Sequence, residues 1–245
     1  MPIADVAGGI GTLFAQGSET DAARLIEGAS IFGDADRLEL ECLMTIDTAQ
    51  GRKTRTVEAY IERDERVSKI LLHIIAPGFL NRMKFLTHIY ADGREYTWMR
   101  TSRGTTRLSG ADRNMRVFDS DFTVEDFSDL TLQGFSLRRL PERTLDGVSC
   151  QVVEAVPEDP GRGYQVKVVY LDAEDSFIRG LDYLDDEGEP IRSYRVLTTQ
   201  TVGGRSAPLR CRMSTPAEGS ETILEFTETL VPDSIPARIF NKASL

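Results

Sequence analysis

The chain has 245 residues, enough for one large domain or two small ones, and sets 29 Lys and Arg against 39 Asp and Glu for a formal net charge of −10. That balance argues against a nucleic-acid partner, because phosphate binding needs clustered positive charge. No run of 18 or more apolar residues occurs, so no membrane-spanning helix is expected. Cys42, Cys150 and Cys211 lie far apart without a Cys-x-x-Cys pair, which argues against a structural zinc site or a disulfide framework. At most one bridge is available. Cys42 and Cys211 each continue an alternating apolar series, which favours buried thiols.

Residues 1–17 read as a flexible leader or signal-peptide remnant, and 18–245 as a single domain. Within the leader, residues 6–15 (VAGGIGTLFA) are apolar and small but follow Asp5 rather than a positive segment. A helix is expected next, with Ser18 or Thr20 as N-cap, Asp21 in the first turn, Ala22, Leu25, Ile26 and Ala29 at helical spacing, and an end near Gly33. From there the period becomes two. Leu38, Leu40, Cys42, Met44 and Ile46 alternate with mostly polar neighbours, the pattern of a half-buried strand.

Further strands are expected at 54–62, 67–75, 85–90 and 95–99, then at 144–156, 164–171, 177–184, 191–201, 209–213 and 222–231. Turn signals such as Gln50-Gly51, Asp92-Gly93 and Gly203-Gly204 separate them. Long amphipathic strands with almost no helix between them predict one curved antiparallel sheet that must close, pack on a second sheet or be covered by helices, and a cavity is one natural result.

The most informative stretch is 117–126, VFDSDFTVED. Thr123 begins a short helical segment in which Asp126 reaches back as the capping-box partner, while Phe122 and Phe127 match a hydrophobic staple. This segment and the N-terminal helix are the expected cover of the sheet. The spacing Asp119-x-Asp121-x-Thr123-Val124 also matches the nucleophile loop of haloacid-dehalogenase-like phosphatases. That loop needs a buried apolar strand just upstream, and residues 111–116 (ADRNMR) are too polar for one. His73 and His88 sit inside strand patterns, where packing or hydrogen-bonding roles are commoner than metal ligation. Six arginines (94, 100, 103, 107, 113 and 116) stand against Glu95 and Asp112, and 119–129 carries five acids and no base. This pairing predicts either an internal ion-pair network or a basic rim for lipid head groups or an acidic partner.

Several of these segments together resemble the LolA-like family of outer-membrane lipoprotein-sorting proteins, related to periplasmic lipoprotein carriers and receptors. The resemblance rests on Tyr96-Thr97-Trp98, Arg107-Leu108-Ser109-Gly110, the segment from Phe118 through Asp126, Leu145-Asp146-Gly147, the run from Tyr183 to Gly188, and Ile235-Pro236 with Ile239-Phe240. The chain departs from the family pattern at Met99-Arg100, where Leu-Pro is usual, at Asp119, where Gly is usual, and at Val124, where an aromatic is common.

The resemblance implies a mainly β fold: a half-open antiparallel β-barrel, or strongly curved sheet, with a few covering α-helices that act as a lid over bound acyl chains. It implies a periplasmic location, lipid or lipoprotein acyl chains as ligand, and an inner-membrane transporter and outer-membrane acceptor as partners. Leu38, Leu40, Met44, Val57 and Ile61 are then candidates for the cavity floor. Trp98, Met99, Leu108, Phe118, Phe122 and Phe127 are placed near the lid and cavity mouth, with plain core packing as the alternative for the aromatics. Arg107, Arg113 and Arg116 are candidate head-group or partner contacts. A carrier must release its cargo, so a loosely packed, marginally held lid is expected. No catalytic residue, metal or cofactor is implied. The rival readings are a lipid-directed hydrolase, a phosphatase using Asp119 and Asp121, and an adaptor module of an envelope transporter.

Overall fold

The computed structural model describes residues 19–26, 29–33, 35–127 and 134–245. The expected leader and Ser18 lie outside them. One α-helix, α1 (Glu19–Ile26), precedes thirteen strands. The first six are β1 (Arg37–Thr48), β2 (Gly51–Arg63), β3 (Val67–Ala76), β4 (Lys84–Tyr90), β5 (Glu95–Thr101) and β6 (Gly104–Arg107). After a long connection come β7 (Phe135–Leu145), β8 (Val148–Pro157), β9 (Val166–Asp172), β10 (Ile178–Leu184), β11 (Pro190–Val202), β12 (Arg205–Thr215) and β13 (Ser220–Leu230). All thirteen form one antiparallel sheet in the order β6-β5-β4-β3-β2-β1-β13-β12-β11-β10-β9-β8-β7. The sheet is open, with β6 and β7 as its two edges.

Register explains how one face becomes the core. In β1 the alternating Leu38, Leu40, Cys42, Met44 and Ile46 are all buried, and the pairing sets Leu38 against Ile61, Leu40 against Ala59 and Cys42 against Val57. Because side chains alternate with a period of two, this register places both apolar sets on one face. β3 continues it with Ile70, Leu72 and Ile74, and on the other side Leu224, Cys211, Tyr194 and Leu181 follow strand by strand. These side chains belong to a single continuous core, which lines the concave face.

The outer face carries two smaller apolar clusters. In one, Ile235, Ile239, Phe240 and Leu245 of the C-terminal segment cover Tyr60, Leu71, Leu86 and Trp98. In the other, Cys150, Val152, Val168 and Tyr170 lie under Leu140 and Leu145. Here the β7–β8 ladder is irregular between Leu140 and Arg143, and Leu145 packs on Gly180 of β10. A Cβ at Gly180 would meet Leu145 Cδ2 at 2.8 Å and the Tyr194 carbonyl oxygen at 3.0 Å, so this position accepts only glycine without rearrangement.

The structure corrects two expectations about elements. The single strand expected at 144–156 is a hairpin whose two-residue turn, Asp146-Gly147, has φ of 49° and 86°, the pair of left-handed conformations such a turn requires. The N-terminal helix ends at Ile26, not near Gly33, with Thr20 inside it. Among the described residues there is one covering α-helix rather than several, and short 3-10 turns supply the rest of the cover.

Candidate functional site

The concave face is covered by α1 and by the β6–β7 connection. In α1, Ala22 and Ile26 point into the core, and the helix lies against β7 and β8. In the connection, 3-10 turns at Gly110–Asn114, Val117–Asp119 and Val124–Phe127 fold residues 117–127 into a compact plug. Its own backbone closes it, since Val117 N–H donates to the Phe122 carbonyl at 2.8 Å and Val124 N–H to Met115 at 3.0 Å. Phe118 and Asp119 both adopt left-handed backbone, with φ of 57° and 61°.

The plug is apolar beneath and carboxylate-bearing at its flanks. Phe122 is fully buried, its ring 5.4 Å from that of Phe127, which is the staple contact expected from the sequence. Phe118 stands edge-on to Phe85 at 5.3 Å, and Phe127 stacks on Phe32 at 5.8 Å. These rings fill the middle of the concavity, and recesses of about 430 Å³ beside Thr97, Leu108 and Val124 and about 320 Å³ beside Leu25 and Ile178 remain at its borders. A void of only about 10 Å³ remains among Leu40, Met44, Val57, Phe118, Phe127 and Phe226.

Three buried carboxylates tie the plug to strands far away in sequence. Asp121, 1 % exposed, accepts hydrogen bonds from the hydroxyls of Thr215 at 2.7 Å, Ser220 at 2.5 Å and Thr222 at 2.7 Å. Asp126 accepts from Thr123 N–H at 2.6 Å, from the Tyr183 hydroxyl at 2.5 Å and from the Arg192 guanidinium, which also lies 4.5 Å over the Tyr183 ring. Burial, and then the Asp126 charge, pushes the Tyr183 phenol well above its usual pKa, so it remains a donor. Glu125 receives Lys167 Nζ at 2.9 Å, Arg162 at 3.1 Å and the Tyr164 hydroxyl on one oxygen. Burial raises the Glu125 pKa, but the Lys167 charge, the Tyr164 and Lys167 hydrogen bonds and the Arg162 charge outweigh it and bring it down to about 2.

Similar proteins agree with this architecture. A family model described as "Uncharacterized protein" matches residues 66–245, most of the chain. The chain belongs to that family. No curated protein matches significantly. Among solved structures, a DUF1329 family protein from Desulfovibrio piger superposes with a TM-score of 0.81 at 19% identity, covering 93% of this chain and 97% of its own. A Vibrio parahaemolyticus protein described as an outer membrane lipoprotein-sorting protein domain gives 0.82 at 18% identity, with 92% and 98% covered. A LolA superfamily protein from Nitrosomonas europaea gives 0.70 at 16% identity, with 91% and 99% covered. The fold is therefore LolA-like.

Within this LolA-like fold the expected residues divide into three groups. Leu38, Leu40, Met44, Val57 and Ile61 line the concave floor, and Phe118, Phe122 and Phe127 sit against the same core, with Met99 and Leu108 packed on its border. Trp98 does not join them. It faces the opposite side of the sheet, beside Tyr96 and His88 and under the C-terminal segment, because it is paired with Leu86 at an outward position. The arginines separate as well: Arg107 lies over the Tyr96 ring at 4.4 Å, Arg113 faces Asp159 at 3.5 Å, and Arg116 pairs with Glu218 at 2.6 Å.

The expected loose lid is also corrected, since the staple rings are buried and three carboxylates anchor the segment. Asp121 is enclosed by hydroxyls while Asp119 is 74% exposed, and no parallel strand pair exists among the described residues to form the platform a phosphatase loop uses. All three cysteines are free and buried, as expected for Cys42 and Cys211; burial pushes the Cys211 thiol up to about 12. His73 and His88 each face a backbone carbonyl, that of Asn81 at 2.8 Å and that of Phe240 at 3.0 Å.

The residues missed from the sequence are those that receive the plug: Tyr164, Lys167, Tyr183, Arg192, Thr215, Ser220 and Thr222. One signal marked Lys167. It stands in phase with the inward Val169 and Leu171 of its strand, where a charge requires a partner.

Proposed function

We propose that this chain is a non-enzymatic carrier that holds the acyl chains of a lipid or lipoprotein against the concave face of its sheet, in the space that Phe118, Phe122 and Phe127 occupy in this structure. The observation that carries the reading is the nature of the cover. Among the described residues, an apolar face spanning the sheet is closed by one short helix and by a segment anchored through side-chain hydrogen bonds, not by a second sheet.

The energetics permit exchange. Each buried phenylalanine contributes roughly 1.5–3 kcal/mol, so the three together contribute roughly 5–9 kcal/mol. An acyl chain of about 16 carbons, at about 0.8 kcal/mol per methylene, gains about 13 kcal/mol on the same face. One chain therefore outweighs the three rings, while the polar anchors of Asp121 and Asp126 oppose opening. Firm anchoring keeps the empty protein closed and its apolar face out of solvent.

The names of the two structural relatives, one a LolA superfamily protein and one linked to outer membrane lipoprotein sorting, support a place in the periplasm. In that setting an inner-membrane transporter would load the carrier and an outer-membrane acceptor would unload it. Native mass spectrometry after mixing with a fluorescent fatty acid or a triacylated lipopeptide tests the reading. The expected result is a stoichiometric, unhydrolysed adduct. Absence of uptake, or recovery of cleaved lipid, would sink it.

A further inference from the structure

We propose that the free edge of β6, with the outward arginines of β5 and β6, docks an acidic, extended segment of a partner protein. This inference is independent of lipid carriage. β6 is the outermost strand on its side of the sheet. Leu108 N–H donates to the Thr97 carbonyl at 2.8 Å, and β6 pairs Thr106 with Met99 and Thr105 with Arg100. Inward and outward hydrogen bonding alternates along an antiparallel strand, so the main-chain groups of Thr105 and Arg107 point away from β5. Among the described residues nothing pairs with them. Such an edge is a template for an added strand.

The chemistry of the adjoining face selects the added strand. Trp98, Arg100 and Arg107 share the outward face with Lys84, which is paired with Arg100, and no outward position of β4, β5 or β6 holds an acid. Arg103 adds an exposed charge at the β5–β6 turn. In a chain of net charge −10 this is a local reversal of sign. The guanidinium groups are also held in place. Arg107 caps Tyr96, which stacks on Trp98 with ring centroids 6.1 Å apart, and Arg100 donates to the Thr105 hydroxyl at 3.3 Å. Cations fixed on aromatic rings lose little freedom on pairing with carboxylates.

Other occupants fit less well. Edge-to-edge pairing with a second copy through β7 would bring Arg143, beside the Arg138–Glu154 pair, to the same basic surface, and pairing through β6 would oppose like charges. Residues 1–18 contain a single acid, Asp5. An anionic membrane would match the charge but would leave the hydrogen-bonding edge unused. An extended chain with carboxylates at alternate positions uses both.

The test measures binding of a short capped peptide of alternating glutamate and valine, alongside phosphatidylglycerol vesicles, with backbone amide exchange followed by NMR. The expected result is saturable peptide binding that protects the Thr105 and Arg107 amides. Arg107→Glu should weaken it about tenfold, as for the loss of one charge-assisted hydrogen bond. Thr105→Pro, which removes an outward N–H and spares the bonds to β5, should abolish it. The wild-type amide readout does not depend on either variant folding. No binding at millimolar peptide, binding without protection of those two amides, or binding of vesicles alone would each overturn the proposal.

Discussion

Asp121 and Thr222 exchange hydrogen bonds: the Asp121 N–H donates to the Thr222 hydroxyl at 2.9 Å, and that hydroxyl donates to the Asp121 carboxylate at 2.7 Å. The reciprocal pair joins the plug to β13 across a gap of 101 residues in sequence. With Thr215 and Ser220 it makes Asp121 the acceptor for three buried hydroxyls. Replacing it with alanine strands those donors, and the expected loss is about 3 kcal/mol. Hydrogen exchange in Asp121→Ala should quicken in 117–127 before it does in the strands. Unchanged exchange there would show that Asp121 does not anchor the segment.

Arg192 and Asp126 form a buried ion pair in which each neutralises the other. Arg192→Met leaves Asp126 charged with only Tyr183 and Thr123 to solvate it, so a loss of about 3–5 kcal/mol is expected. In Arg192→Met combined with Asp126→Asn the uncompensated charge is gone. The double variant should therefore be more stable than Arg192→Met alone, as read from denaturant midpoints. A strictly additive pair would contradict the account.

Glu125 gives the plug its acid sensitivity. Its folded pKa of about 2 lies below its ordinary value of 4.5, so the stability it contributes is fully present above about 4.5 and is lost as pH falls towards 2. Glu125→Gln should be less stable than wild type at neutral pH, and the gap should close across that acid window. The contribution of Glu125 to lid exchange should accordingly be constant between pH 5 and 8. A gap that persists below pH 2 would contradict the assigned pKa.

Much of the fold was legible because strand alternation is local. Leu38 to Ile46 revealed their buried face without reference to any partner. β7 escaped because its sequence, FSLRRLPERTL, carries Pro141 and four charged side chains at half-exposed or exposed positions. β6, four residues with no apolar alternation, escaped for the same reason. The Phe122–Phe127 staple was legible because both partners lie within one turn. Tyr183, Arg192 and Thr222 were not, because only the curvature of the complete sheet brings them to the plug. Trp98 shows the converse failure: the resemblance flagged it, but strand phase turns it outward.

Asp119 shows why glycine is usual at this place in the LolA-like pattern. Its φ of 61° lies in the left-handed region, which glycine enters without steric cost and aspartate tolerates. Asp119→Gly should stay within about 1 kcal/mol of wild type, whereas the β-branched Asp119→Val should lose about 1–2 kcal/mol. Equal stability of the two variants, measured by chemical denaturation, would show that this backbone strain is absent.

The central claim is that an acyl chain replaces the aromatic plug on the concave face. The direct measurement is hydrogen exchange by mass spectrometry with and without a bound long-chain lipid. The account predicts that loading accelerates exchange in 117–127, while β1, β2 and β13 stay protected. Lipid that binds with the exchange of 117–127 unchanged, or a protein that takes up no lipid at all, would contradict it.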